Sequence, residues 1–192
     1  MNFHKIYEIS RRTAVLLVTL GVILVVLNLL LILQNKQMKA FAAKRDRLLG
    51  LQQESILPTL SGSDIHGNRI SIDYGRDPRK TLLLVMSTTC RACDENMANW
   101  KEIVAKIDKS SYRVVVTSLS SSALVQHLSP LSLPDVPVLA ELDANSKREY
   151  GLAITPQTAL ISFEGRVENV WTGVLRTREM REVDAALNLI IP

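Results

Sequence analysis

The strongest constraint on this chain is a run without a single charged residue between Arg12 and Lys36, most of whose 14–33 stretch is Leu, Val or Ile. At about 1.5 Å per residue, that stretch is long enough to cross a hydrocarbon core of about 30 Å as one helix. The expected span is 13–35, with 1–12 as an N-terminal cytoplasmic segment. Thr19 and Asn28 are cheap enough to bury within it. A cleaved signal peptide is the competing reading, because Ala40-Phe41-Ala42 resembles an A-x-A site. The apolar run, however, exceeds the usual signal core of about 7 to 15 residues, and the site lies beyond Lys36 and Lys39, so an uncleaved anchor is the better expectation.

The net charge of +4 suggests nucleic-acid binding only until it is divided by region. Residues 1–55 hold eight Lys and Arg against three acids, which leaves the remainder close to neutral and slightly acidic. The basic excess therefore lies beside the lipid bilayer, where anionic head groups are its natural partners, and no basic stripe remains for a phosphate backbone; no nucleic-acid partner is expected. Three Lys and Arg precede the span and five follow it closely, so charge alone mildly favours a cytoplasmic C-terminal domain.

Gln34 to Gln53 is rich in Lys, Arg, Ala, Leu and Gln, which reads as a helical stalk over 36–55, ended by Gly50 and Pro58. The globular part is expected over 56–192. His66-Gly67-Asn68 is a turn between two short strands, the second Arg69 to Ile72. Thr81 to Ser87 and Tyr112 to Thr117 read as buried strands by their continuous apolar runs. Met97, Trp100, Val104 and Ile107 mark one face of the helix after the cysteines. Ser120 to Leu128 and Asn145 to Tyr150 read as helices, the latter ending at Gly151, and Val136 to Leu139 as a short strand. Thr158 to Phe163 and Val167 to Thr172 pair across Glu164-Gly165 as a hairpin. An amphipathic helix from Thr177 to Leu189 closes the chain, with Met180, Val183, Ala186 and Leu187 on one face. The fold class is α/β, with a central mixed sheet between helices.

Cys90 and Cys93 are the chain's two cysteines, placed where the strand run Thr81-Leu-Leu-Leu-Val-Met86 gives way to a helix. Thiols three positions apart at a helix start can close and reopen a small disulfide. Cys90 would sit at the helix N-terminus, where free N–H groups, the dipole and the neighbouring Arg91 favour negative charge on sulfur, while Asp94 and Glu95 oppose it. Cys93, a turn later and facing the core, is the natural resolving thiol. The other readings are two inert buried cysteines, or half of a zinc site, for which only His4, His66 and His127 could supply nitrogen ligands. Thr155-Pro156 falls just ahead of a strand, where an X-Pro bond held cis leaves neighbouring backbone free to pair with an extended substrate; by itself this is a weak signal. His66, His127, Trp100, Trp171, Met97 and Met180 suit surface or packing roles.

With these elements in place, residues 57–192 resemble the thioredoxin superfamily, and more narrowly the membrane-anchored TlpA/ResA-type thiol-disulfide oxidoreductases, with redoxin and MauD-like proteins as cousins. The matching segments are Asp64-Ile-His-Gly67, Leu82-Leu-Leu-Val85 before Cys90-x-x-Cys93, Asp135-Val-Pro-Val-Leu139 with Tyr150-Gly151, Ile154-Thr-Pro-Gln-Thr-Ala-Leu-Ile161 and Glu164-Gly165. The resemblance implies a thioredoxin fold with an N-terminal β-hairpin and a central helix-strand insertion behind a single transmembrane helix. It implies Cys90 as nucleophile, Cys93 as resolving thiol, and Thr155 with cis Pro156 lining the substrate groove. It also implies an extracytoplasmic, periplasmic domain on the inner membrane, which outweighs the thin charge count.

The chain departs from the family pattern at three places. Thr89 stands where an aromatic is usual, Arg91-Ala92 fill the motif where Pro or a small apolar residue is common, and Asn96 occupies a position often acidic, with Glu95 one step earlier. The expected activity is thiol-disulfide exchange with exported protein clients, such as an apocytochrome or another cofactor-bearing protein, and with a membrane electron donor or acceptor. No cofactor is implied beyond the redox-active Cys90–Cys93 disulfide. A peroxiredoxin-like peroxidase is the alternative, although Ser87 and Leu83 stand where that family usually has Thr and Pro. The remaining alternative is a non-catalytic assembly subunit of a membrane complex that kept the fold.

Overall fold

The computed structural model describes residues 3–47, 50–120 and 136–189 and divides into two units, the first ending at Arg45 and the second beginning at Asp46. The first unit is the body of one helix, α1 (Phe3–Arg47), within which Thr13–Met38 is long and apolar enough to cross a membrane. Two polar side chains deep in that stretch, Thr19 and Asn28, are satisfied inside the helix. Thr19 Oγ1 donates to Leu16 O at 2.9 Å and Asn28 Nδ2 donates to Leu24 O at 2.9 Å, which removes most of the cost of placing them in an apolar surrounding.

The second unit is built on a five-stranded mixed sheet in the order β5-β4-β3-β7-β8. Its strands are β3 (Lys80–Met86), β4 (Tyr112–Ser118), β5 (Val138–Leu139), β7 (Gln157–Ile161) and β8 (Val167–Thr172). β3, β4 and β5 run parallel, while β7 is antiparallel to both β3 and β8. The unbroken apolar run of β3 follows from its central position, since alternate side chains enter opposite layers. Leu82, Leu84 and Met86 pack with α2 (Arg91–Lys106) and α4 (Thr177–Ala186). Leu83 and Val85 pack on the other side with Leu60, Tyr74, Leu142 and Tyr150.

That second layer holds a small antiparallel sheet, β2-β1-β6, formed by β1 (Leu60–Ser63), β2 (Arg69–Ile72) and β6 (Glu141–Leu142), together with α3 (Ala144–Tyr150). The β1–β2 turn is set by Asp64, whose Oδ1 accepts from His66 N and Asn68 N, both at 2.8 Å. α3 starts on Asp143, whose carboxylate accepts from Ser146 N at 2.7 Å, and stops at Gly151, the left-handed C-cap at φ 56.

The expected strand segments of the described residues are present with ends shifted by one or two positions, and the closing helix ends at Ala186 rather than Leu189, with Leu187 still buried behind it. On α2 the fully buried residue of the last turn is Ile103, and Val104 is half-buried, because the stripe continues the line of Cys93, Asn96 and Trp100. Of the helix expected at Ser120 to Leu128, everything after Ser120, with His127 and the segment up to Asp135, lies outside the described residues. Packing of the domain already includes Gly50 and Leu51, ahead of the expected start at 56. Residues 54–57 pair with the β7–β8 turn: Glu54 N donates to Val167 O, Val167 N to Ser55 O, and Leu57 N to Gly165 O, at 2.8 to 2.9 Å.

Candidate active site

β3 ends at Met86, and the chain crosses Ser87, Thr88 and Thr89 before α2 begins, so the parallel strand delivers Cys90 to the rim of the sheet. Cys90 is the N-cap of α2. Its backbone is extended (φ −102, ψ 103), its carbonyl accepts from Cys93 N at 2.9 Å, and its sulfur accepts from the same N–H at 3.2 Å. A helix cap is normally an oxygen acceptor for this orphan N–H. A sulfur there receives a backbone donor and lies at the positive end of the helix dipole.

Both cysteines are free thiols in the structure, Cys90 half-buried and Cys93 fully buried. Burial, and after it the neighbouring Cys90 sulfur, push the Cys93 thiol up to about 12; the Ser87 backbone N–H and the Thr155 hydroxyl act in the opposite direction. Thr155 thus stands beside the resolving position. The Thr155-Pro156 peptide bond is cis, Pro156 is buried, and Pro156 O accepts from Gly173 N at 2.9 Å. All four residues expected at the site, Cys90, Cys93, Thr155 and Pro156, are therefore brought to one end of the sheet, at the C-terminal end of β3 and the start of β7.

Arg91 does not act as the sequence suggests. Its side chain is 94% exposed and lies 3.7 Å from Glu95 Oε1, so its charge is screened by water and answered by a neighbour one turn on. Thr89 is exposed and its hydroxyl lies 3.1 Å from Ser87 Oγ. Among the described residues no group of three or more His, Cys, Asp or Glu comes together as a metal-binding cluster.

Two sets of hydrogen bonds around the site were not expected from the sequence, in which Asn96 stood out only as a departure from the family's acid. Trp100 Nε1 donates to Thr158 Oγ1 at 2.8 Å in the core, where only packing was expected of the indole. Asn96 is fully buried, and its Oδ1 accepts from Leu175 N at 2.9 Å and from Asn99 Nδ2 at 3.1 Å; Asn99 Nδ2 also donates to Leu175 O at 2.8 Å. The Asn96/Asn99 pair thereby joins α2 to the loop that follows β8. An amide pair spaced three apart on an apolar helix face was the available signal.

No family model and no curated protein matches the sequence. Solved structures do match the shape. The thioredoxin domain of a thiol-disulfide oxidoreductase from Bacteroides vulgatus aligns with a TM-score of 0.55 at 16% identity, over 72% of this chain and 99% of that one. A DsbF homologue from Corynebacterium diphtheriae aligns with a TM-score of 0.55 at 14% identity, over 69% and 87%. A peroxiredoxin-like protein from Aquifex aeolicus aligns with a TM-score of 0.55 at 15% identity, over 71% and 88%. At such low identity these likenesses establish architecture, and the second unit of this chain has the thioredoxin fold, carrying its two cysteines at the start of α2 and its cis proline at the start of β7.

Proposed function

We propose that this chain is a membrane-tethered thiol-disulfide oxidoreductase that exchanges disulfides with exported protein clients. The observation that carries the reading is the pairing of an accessible sulfur at a helix N-cap with a buried sulfur one turn behind it, beside a cis Thr155-Pro156 peptide. Cys90 attacks a client disulfide as the thiolate; one client sulfur leaves as a thiolate, and a mixed disulfide joins Cys90 to the client. Cys93 then loses its proton to solvent and attacks Cys90 Sγ. The Cys90–Cys93 bond forms, the client's second sulfur leaves and is protonated, and two electrons have passed to the client. Run backwards, the same steps oxidise a dithiol client. Thr155 and Pro156 offer the surface against which an extended client segment lies.

The helix 13–38 supports the tether, and a domain outside the cytoplasm fits clients such as an apocytochrome or another cofactor-bearing protein, with the pair reset by a membrane electron donor or acceptor. The test is a Cys93→Ser variant of the full chain in its own cells. It is expected to accumulate mixed disulfides that vanish when Cys90 is also changed to Ser; no trapped client overturns the reading. Digestion of the domain by protease added to spheroplasts checks the orientation.

The likeness to a peroxiredoxin-like protein favours one second reading, a peroxidase using Cys90 as its peroxidatic thiol. Rapid peroxide consumption by the reduced chain, without client trapping, would establish it. Normal assembly of a membrane complex after both cysteines become serine would instead mark a non-catalytic subunit.

A further inference from the structure

Asn96 carries a buried donor that nothing among the described residues accepts. Its Oδ1 receives Leu175 N, and because a backbone N–H can only donate, the oxygen must face that side. The second bond to Oδ1, from Asn99 Nδ2, fixes the carboxamide plane further. Nδ2 is thereby held on the opposite side, shielded from solvent and without a hydrogen-bond partner. A buried donor left unpaired destabilises the fold, so a native chain that keeps one calls for a physical account.

The position of the residue supplies one. Asn96 follows Cys93 by three positions, which puts the two on the same face of α2 with Cβ atoms about 5 to 6 Å apart. Helical side chains lean toward the N-terminus of their helix, so the Asn96 amide lies over the turn that carries Cys93. On the other side the loop that receives Oδ1 is tied to the proline peptide, since Gly173 N donates to Pro156 O. The amide is thus clamped between the two halves of the site with one N–H to spare.

We propose that this spare N–H serves the resolving step, donating to the Cys93 sulfur when it becomes a thiolate and attacks Cys90. This rests on the exchange function proposed above and adds a residue to it. In the dithiol the N–H has no acceptor; as Cys93 loses its proton to solvent, a full negative charge appears one turn away, with two electrons that form the Cys90–Cys93 bond while the Cys90–client bond breaks. At this step Cys90 is bound to the client and carries no charge, and the Ser87 N–H and Thr155 hydroxyl are the other donors toward Cys93. Asp94 and Glu95 lie on the exposed side of the same turn. An amide there works at any pH, unlike a carboxyl group, which must first be protonated to donate.

The experiment is two-phase reaction of the reduced full-length chain with dithiodipyridine, a neutral disulfide. The first thiopyridone reports attack by Cys90 and the second reports resolution by Cys93. Asn96→Asp preserves size and the acceptor toward Leu175 but replaces the donor. It is expected to leave the first phase within about twofold and to slow the second about tenfold or more, the usual scale for a hydrogen bond to a charged group, with the loss growing as the new carboxyl ionises. Asn99→Ala removes one of the two bonds that orient the Asn96 amide while sparing its N–H, and is expected to leave the first phase within about twofold and to slow the second less than Asn96→Asp does. If Asn96→Asp does not fold, Asn96→Ala takes its place with the same expectation for the second phase. A second phase unchanged in rate and pH dependence, as for an amide paired only with a buried water, overturns the inference, as does an equal slowing by Asn99→Ala. Absence of any second phase in the unmodified chain instead overturns the exchange function.

Discussion

Trp100 Nε1 and Thr158 Oγ1, 2.8 Å apart and both fully buried, join the helix that carries the two cysteines to the strand that begins beside Pro156. Cys93, Asn96, Met97, Trp100 and Ile103 form one stripe of α2, and the strand it faces turns Thr158 and Leu160 toward it while Gln157, Ala159 and Ile161 enter the opposite layer. The hydroxyl at 158 is therefore the polar partner available to a buried indole N–H, which must be paired or desolvated at a cost. One hydrogen bond thus fixes the distance between the nucleophile's helix and the strand beside it.

Thr158→Val keeps the shape of the side chain and removes that acceptor. The variant should lose about 1–3 kcal/mol of unfolding free energy, the cost of a stranded buried donor. Exchange with a small disulfide peptide should slow as well, since the helix is no longer pinned against β7. Denaturant unfolding and exchange rates check the two effects, and an unchanged midpoint would show that the indole finds another acceptor.

The reduced protein should be destabilised by alkali earlier than the oxidised one. Burial pushes the Cys93 thiol up to about 12 from its ordinary value of 9.0, so the folded dithiol binds a proton that the unfolded chain releases first. Its contribution is complete below pH 9 and is lost as pH rises toward 12. Tyr74 follows the same sign from its ordinary 10.0, pushed by burial to about 12, and burial raises Tyr150 as well. In the disulfide form Cys93 has no proton to lose, so stability should hold between pH 9 and 10 and fall only when the tyrosines begin to titrate. Unfolding of both redox forms across pH 7–11 checks this; parallel curves would remove the thiol from the account.

What could be read in the sequence was what one element dictates for itself. The unbroken apolar run of β3, the stripe Met97, Trp100 and Ile107, the turn at His66-Gly67-Asn68 and the Gly151 cap each follow from local pattern, and the spacing of Cys90 and Cys93 places both at one helix start. Pairings across the chain were not legible. β6 is only two residues long and gains its partner from β1, far away in sequence, and residues 54 and 55 look like the end of a stalk until Val167 pairs with them. Arg91 illustrates a different failure: adjacency to Cys90 is a sequence fact, but a long exposed side chain answers to Glu95 instead. Asn96 reads as a missing acid in one dimension and becomes a clamped amide only when Leu175 arrives from the far end of the chain.

Tyr150→Phe should destabilise the layer that lies behind the sheet. Tyr150 OH donates to Pro58 O at 2.6 Å, so the hydroxyl pair at 2.8 Å must run from Tyr74 OH to Tyr150 OH. Removing the Tyr150 oxygen strands both the Tyr74 hydroxyl and the Pro58 carbonyl, and a loss of about 1–3 kcal/mol is expected. Tyr74→Phe removes only the outer donor, leaves the Tyr150–Pro58 bond intact and should cost less. Thermal unfolding of the two variants gives the order, and the reverse order would mean that Tyr74 anchors the network.

Gly165 and Gly67 separate two reasons for glycine in a turn. Both have positive φ, +84 and +81, and replacement by alanine costs each about 1–2 kcal/mol for the left-handed backbone. At Gly67 a Cβ would meet open space, so Gly67→Ala should cost little beyond that penalty. At Gly165 a Cβ would come within 2.7 Å of Leu57 O, a backbone atom that cannot swing aside, while Gly165 O accepts from Leu57 N at 2.8 Å. The clash therefore pushes apart the pairing that holds residues 54–57 against the β7–β8 turn. Gly165→Ala should be the more destabilising by about 1 kcal/mol or more, and amide exchange at Glu54 and Leu57 should quicken with it. Equal midpoints for the two variants, with Leu57 still protected, would mean that the turn yields without disturbing the segment it holds.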